Sequence, residues 1–314
     1  MSAILTKRKA ESSDVQIWWG EEKCTRCTNK AYYKAGGALL CGVHSRSLKR
    51  TELAKNPNAK SRAERLRFDR YREVVVAAAA NRAAGRRGAL IASKLRMMRE
   101  SEHREGFLNV FPNNKHQNRS DGFGCASLSP MRLGPVRHGQ PGVPDSLTIE
   151  NYHQFNKVFA RDLVAPENIL LKPEFFAIRD AAYRDPVPHR HKYPDDKGVG
   201  GNKNAPLFSL HVAPNGQVRR YTYVQSRYFY CHQYELLAKQ TADYATLRSK
   251  LDEGTNLQIV GYDGYAVTHS LWEHYIDPVR PFGHEMVLYT LLSVENPVDY
   301  PWNRYYRENR AIYE

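Results

Sequence analysis

The sequence predicts an α+β protein: a mostly helical core domain with a small antiparallel hairpin, preceded by a cysteine/histidine finger and basic helices. Three observations carry that expectation. Two tight pairs, Cys24-Thr-Arg-Cys27 and Cys41-Gly-Val-His44, stand thirteen residues apart near the start of the chain. Apolar residues recur at helical spacing over residues 146–159, 226–240, 244–251 and 285–294. Asn215-Gly216 separates two short strand-like runs, 206–212 and 217–224, and that dipeptide is a strong hairpin signal.

Composition fits a chain with a real core and no membrane span. Of the 314 residues 41% are hydrophobic, the mean hydropathy is −0.65, and no run of about 18 apolar residues occurs. The N-terminus lacks the apolar stretch of a secretory signal. The net charge of +14 is unevenly placed: residues 1–105 carry 24 Lys/Arg against 11 Asp/Glu, and residues 106–314 carry 23 against 22. The first third is therefore expected to bind a polyanion, nucleic acid above all, with counterion release as the driving force. A solubilising arm is the plainer alternative. The expected organisation is a disordered basic tail (1–14, with Lys7-Arg8-Lys9), a finger (15–50), a basic helical linker (51–105) and an α+β core domain (106–314).

Three of the five cysteines cluster in the finger. Such clustering is a metal pattern rather than a disulfide framework, and it fits a reducing compartment such as cytoplasm or nucleus. Two short chelating pairs can close a tetrahedral Zn²⁺ site from Cys24, Cys27, Cys41 and His44. A closed Cys3His set has no open coordination position, so the expected zinc is structural. Gly36-Gly37 supplies a turn between the pairs, and the layout resembles a treble-clef finger, a module that binds nucleic acid or protein.

Residues 45–105 read as two or three helices whose Lys/Arg face can track phosphates, with Val74–Val76 and Leu90–Leu95 packing on the core. Gly85 and Gly88 weaken that helical pattern. Residues 106–145 are rich in Gly and Pro and read as loop, with short extended pieces at 126–128 and 131–136. A long irregular stretch in a compact domain is usually functional. His116, Arg119, Arg132 and His138 are its candidates for a pocket.

Residues 146–161 open as a helix, with Ser146 or Thr148 as cap. At about 100° per residue, Tyr152, Phe155 and Phe159 share one face, and Glu150, His153, Gln154, Lys157 and Arg161 share the other. A solvated polar stripe explains that face; so does a site in which a carboxylate, an imidazole and a carboxamide converge. The start of a helix favours an ionised carboxylate at Glu150. Residues 166–171 and 174–182 read as short helices. His189 and His191 read as loop contacts rather than metal ligands, and 195–204 as a loop. Residues 257–262 form a buried strand leading to Asp263, 271–275 a short helix, and 285–294 an apolar core helix.

Leu147-Thr-Ile-Glu150-Asn-Tyr152-His-Gln154-Phe-Asn-Lys157 resembles the T-x-E-H-Y-x-Q-x-x-K signature of the NADAR family of N-glycosidases. Leu108-Asn109-Val110-Phe111 is similar to that family's L-S-N-F entry motif. Asp263 and Phe282-Gly283-His284-Glu285-Met286 stand where the family has an aspartate and then a turn into a helix. Asn151 replaces the family's histidine, the D-x-x-W-G motif is not present as such, and N-x-L-G has become Pro-Phe-Gly-His. The resemblance implies cleavage of an N-glycosidic bond in ribosyl or ADP-ribosyl compounds. It implies Glu150, His153, Gln154 and Asp263 as catalytic residues, and Asn109, Arg119, Arg132, Tyr262 and Tyr265 as substrate contacts. The composition, basic arm and finger together resemble proteins of large eukaryotic DNA viruses, for which a virion-associated place is also expected. The competing class is a non-enzymatic nucleic-acid-binding or virion structural protein, in which residues 106–314 offer a partner surface. Whether Glu150 lines a pocket or a flat face separates the two.

Overall fold

The computed structural model describes residues 23–29, 31, 33–35, 37–41, 43–44, 54–55, 62–95, 101–119, 121–165, 169–193 and 205–314. The expected tail 1–14, most of the basic helical run 45–61 and the loop 195–204 lie outside them. The chain divides into two compact units, Met1–Asp69 and Arg70–Glu314.

In the first unit, β1 (Tyr33–Ala35) pairs antiparallel with β2 (Ala38–Leu40) and with β3 (Ala54–Lys55). Gly37 holds φ at +82° between β1 and β2, a conformation open to glycine at little cost. Leu40, Cys24 and Cys41 are buried together and form the unit's small apolar cluster.

The second unit is α+β, but a sheet organises it. Four parallel strands run in the order β4-β12-β5-β6, with β4 (Leu90–Lys94), β5 (Phe107–Phe111), β6 (Phe123–Gly124) and β12 (Asn256–Gly261). From Leu257 to Gly261 every residue of β12 is buried, as a parallel strand covered on both faces requires. The helical reading of residues 90–95 is corrected: Leu90–Lys94 form β4. The cause lies just upstream. Helix α1 (Arg62–Ala83) stops at Gly85, whose φ is +63°. Gly88 then passes so close to Thr255 that a Cβ on it would lie 2.0 Å from the Thr255 carbonyl oxygen. The chain is thereby turned alongside β12, and the five residues Leu90–Lys94, apolar only over the first three, become a strand because a partner strand is there. The expected linker 51–105 thus contributes a strand to the core sheet.

Helices cover this sheet. α7 (His284–Ser293) lies against β4 and β12, and α5 (Ala242–Asp252) against β12. α4 (Tyr223–Ala238) packs on α7 and α8 (Pro301–Glu308), and α2 (Ile149–Phe155) packs on α3 (Glu174–Arg184) and α4. Tyr183, Tyr234, Tyr275 and Trp302 are fully buried among them, and the Trp302 indole donates to Glu235 at 2.8 Å. The short α6 (Leu271–Ile276) and α9 (Arg310–Tyr313) complete the helices among the described residues.

A second sheet, order β11-β10-β7, is antiparallel: β7 (Lys157–Val158), β10 (Phe208–Val212) and β11 (Val218–Tyr221). The hairpin stands where Asn215-Gly216 predicts it, but its turn is different. Only Gly216 has a positive φ, +81°; its N–H donates to the Ala213 carbonyl, and the Ala213 N–H donates to the Gln217 carbonyl. That is a type I turn closed by one left-handed glycine, not a type I′ pair. Of the expected helix at 166–171, residues 166–168 lie outside the described ones, and Leu170–Leu171 is not helix but β9, paired antiparallel with β8 (Leu163–Ala165). Ala126–Leu128 is a 3-10 turn rather than an extended piece.

Candidate active site and metal cluster

α2 starts where Thr148 caps it: the Thr148 hydroxyl accepts from the Asn151 N–H at 3.1 Å. It ends at Phe155, so Phe159 and Arg161 lie beyond the helix. Tyr152 and Phe155 are buried in the core. The opposite face looks into a cavity of about 330 Å³, within the usual range of ligand pockets. Glu150, His153, Gln154 and Lys157 all line it. So do Tyr262 and Asp263, which follow the carboxyl end of β12, and Asn113, which follows that of β5. Crevices at the carboxyl ends of parallel strands are where open α/β sheets bind ligands.

The polar groups of α2 form a chain. The Lys157 ammonium donates to Gln154 Oε1 at 3.0 Å, and Gln154 Nε2 donates to Glu150 Oε1 at 3.0 Å. The Gln154 amide is thus engaged at both ends. Burial raises the Glu150 pKa above the ordinary carboxylate value, against the pull of the Gln154 hydrogen bond and of Lys157. The helix-start field expected to favour the anion is therefore outweighed by desolvation, since α2 is only two turns long. Burial lowers the Lys157 ammonium to about 8, although Glu150 and Asp263 attract it. The His153 ring meets the Tyr230 ring at a tilt of 55° with centroids 4.8 Å apart, and burial holds its imidazole well below the ordinary value, in the neutral form.

Tyr262 is oriented from both sides. Its hydroxyl meets His116 Nε2 at 2.8 Å, and the Arg190 guanidinium lies over its ring at 5.5 Å. Asp263 is exposed at the rim. His284 and Glu285, the first two residues of α7, close the floor. Burial lowers His284 to about 4 and raises Glu285 to about 8, the latter with help from the nearby Asp263 charge.

Four expected contacts stand elsewhere. Asn109 is buried in β5 and donates to the Asp121 carbonyl at 2.9 Å. Arg119 makes a two-pronged pair with the Asp121 carboxylate at 2.6 and 2.7 Å. Arg132 donates to Asn114 Oδ1 at 2.7 Å and borders a different hollow. Tyr265 lines a separate cavity beside β4. An arginine is legible as a cation in sequence, but which anion satisfies it is not. Residue-type reasoning missed Lys157, Arg190, His284 and Glu285 as site residues. For Lys157 the available signal was its place on the polar face of α2. Arg190 is brought in by a buried latch: Asn151 Nδ2 donates to the carbonyls of Ala182, Asp185 and Val187, and its Oδ1 accepts from the His189 N–H at 2.8 Å. His189 itself pairs with Asp185 at 2.7 Å, the loop contact expected of it.

In the first unit the four expected ligand atoms meet, all within 4.8 Å of one another. Cys24 Sγ and Cys41 Sγ lie 3.3 and 3.5 Å from His44 Nδ1, and Cys27 Sγ lies 3.7 Å from Cys41 Sγ. A tetrahedral ion with thiolate bonds of about 2.3 Å separates neighbouring ligand atoms by about 3.5–3.8 Å, so the set fits. The Arg26 N–H points at Cys24 Sγ at 3.5 Å, which supports a thiolate there. No helix among the described residues is long and apolar enough to cross a membrane. No family model, curated protein or solved structure matches the chain.

Proposed function

We propose that the second unit is an N-glycosidase acting on ribosyl or ADP-ribosyl compounds, and that the first unit is a structural zinc finger within a nucleic-acid-binding arm. The observation that carries the enzymatic reading is the convergence of Glu150, His153, Gln154, Lys157 and Asp263 on one cavity at the carboxyl ends of β5 and β12. Glu150, Gln154 and Lys157 stand at positions that resemble the NADAR signature, and Asp263 stands where that family has an aspartate. A solvated helix face needs no such cavity.

In this reading Glu150, in its ionised form, lies beside C1′ and stabilises the positive charge that develops as the C1′–N bond breaks. It takes one proton from the attacking water while the water oxygen bonds to C1′, and the base leaves with the C1′–N electron pair and takes up any proton it needs from solvent. Lys157 and Gln154 hold the Glu150 carboxylate in place through their two hydrogen bonds, so Gln154 positions the catalytic group rather than the sugar. Neutral His153 is placed to hydrogen-bond a ribose hydroxyl. The Tyr262 ring offers a stacking face for the departing base. Zn²⁺ on Cys24, Cys27, Cys41 and His44 would stabilise the first unit, with no open position for chemistry.

The test compares wild type with Glu150→Gln for base release across a panel of ribosyl and ADP-ribosyl compounds. Turnover should fall on the order of 10²-fold or more while the far-UV spectrum stays unchanged. Wild type inert on the whole panel would remove the enzymatic reading and favour the non-enzymatic nucleic-acid-binding or structural one. The arm is tested separately. Residues 1–69 carry 15 Lys/Arg against 7 Asp/Glu. Nucleic-acid affinity of the full chain should fall steeply with salt and drop when these residues are removed. Equal, salt-insensitive affinity of both chains overturns it.

A further inference from the structure

Glu285 is unlike the other carboxylates of the cavity. Its side chain has no exposed surface, and neither oxygen has a hydrogen-bond partner of good geometry. His284 Nδ1 is 3.3 Å from its Oε2, and the N–H groups of Tyr262, Asp263 and Glu285 surround it. Two glycines make the space. A Cβ on Gly261 would fall 1.8 Å from Glu285 Oε1, and one on Gly283 would fall 3.2 Å from Glu285 Oε2 and 2.8 Å from the Asp263 Cβ. The carboxyl therefore sits inside the turn Gly261–Gly264, which is closed by the Gly264 N–H on the Gly261 carbonyl at 3.2 Å. That turn carries Tyr262 and Asp263 to the cavity.

We propose that Glu285 is a positioning residue: in its neutral form it packs under the Gly261–Gly264 turn and holds Tyr262 and Asp263 at the cavity. The physical ground is the cost of a buried charge. An unpaired carboxylate with no exposed surface is expensive, and the Asp263 carboxylate next to it makes ionisation costlier still. The N–H groups of Tyr262, Asp263 and Glu285 pull toward the anion, but burial outweighs them, and the side chains that face Glu285 do not add to that pull. On its own helix His284 is neutral, since burial lowers it to about 4. From α4, Tyr230 and Tyr234 face it, and burial raises both phenols so that they too are neutral. From the turn, only Asp263 is charged, and it has the same sign. Glu285 is accordingly raised to about 8. Below that pH it is a compact neutral acid; above it, two like charges share the turn and the turn is pushed open.

The proposal rests on the enzymatic reading only for its activity arm. In full-length protein, infrared difference spectroscopy should show the carbonyl stretch of a protonated carboxylic acid that disappears as pH rises through about 8 and is absent in Glu285→Gln. Base release gives the second reading. Glu285→Gln, neutral at every pH, should stay within about 3-fold of wild type at pH 7 and should keep its activity above pH 8.5 better than wild type does. Glu285→Ala, which empties the turn, should cost on the order of 10-fold in kcat with a smaller change in KM. A band that is missing at pH 6, or one that survives in Glu285→Gln, overturns the neutral acid even if the chain proves inert as an enzyme. An active enzyme in which Glu285→Gln shows the same alkaline loss as wild type overturns the positioning role and assigns that limb to Lys157.

Discussion

Replacing Asn151 by aspartate alters one atom and almost nothing of the shape, yet it should unfold much of what holds the cavity. Asn151 is fully buried. Its Nδ2 donates to three carbonyls, Ala182 at 3.0 Å, Asp185 at 3.1 Å and Val187 at 3.0 Å. In Asn151→Asp that nitrogen becomes an oxygen facing three oxygens. The carboxyl can keep one donor only by staying protonated at pH 7, about three units above its ordinary pKa, which costs about 4 kcal/mol. Losing the second hydrogen adds about 1 kcal/mol. A penalty of about 3–5 kcal/mol corresponds to a drop of roughly 6–20 °C in the melting temperature of a domain this size. The sign with pH is distinctive. The folded state of the variant binds a proton that the unfolded state has released, so the penalty grows as pH rises from about 4 to 7 and shrinks on the way down. Urea unfolding of wild type and variant at pH 7 and pH 5, followed by tryptophan fluorescence, measures both effects. A penalty under about 1 kcal/mol at pH 7, or one independent of pH, would refute the latch. The segment it anchors carries Arg190 and His191 to the cavity, so a surviving variant should also bind ligand more weakly.

Purified protein should carry one tightly bound zinc per chain, and Cys41→Ser should lose it; elemental analysis of both decides, and a metal-free wild type sinks the site. The second unit should also weaken in mild acid. Burial holds His211 near 3 and His284 near 4, and lowers His138 and His153 below their ordinary 6.5. A histidine with a depressed folded pKa contributes stability that is complete above about 6.5 and is lost as pH falls toward the folded value. Each of these imidazoles opposes protonation in the folded state, so the urea midpoint should drop clearly between pH 7 and pH 5. An unchanged midpoint contradicts the burial of these imidazoles.

Much of the site was legible along the chain because it is local. The polar face of α2 follows from helical spacing, and Thr148 marks its start. The metal ligands follow from two chelating pairs whose geometry is set within a few bonds. Asn215-Gly216 marked a hairpin, although the turn type depended on which of the two residues took the left-handed conformation.

Other features depended on partners far away in sequence. Leu90–Lys94 has no strand signal strong enough to outweigh a helical one until β12 lies beside it, 167 residues on at the register of Leu90 with Leu257. Arg119 reads as a phosphate clamp until Asp121 occupies it. Glu285 reads as one more polar residue at a helix start until Gly261 and Gly283 enclose it. The sequence by itself determined the chelating pairs, the capped helix and its two faces, because spacing and capping act over one or two turns. Only the tertiary structure decided which charges are paired, which are desolvated and which share a cavity, because those energies depend on distance in space and on the water that packing removes.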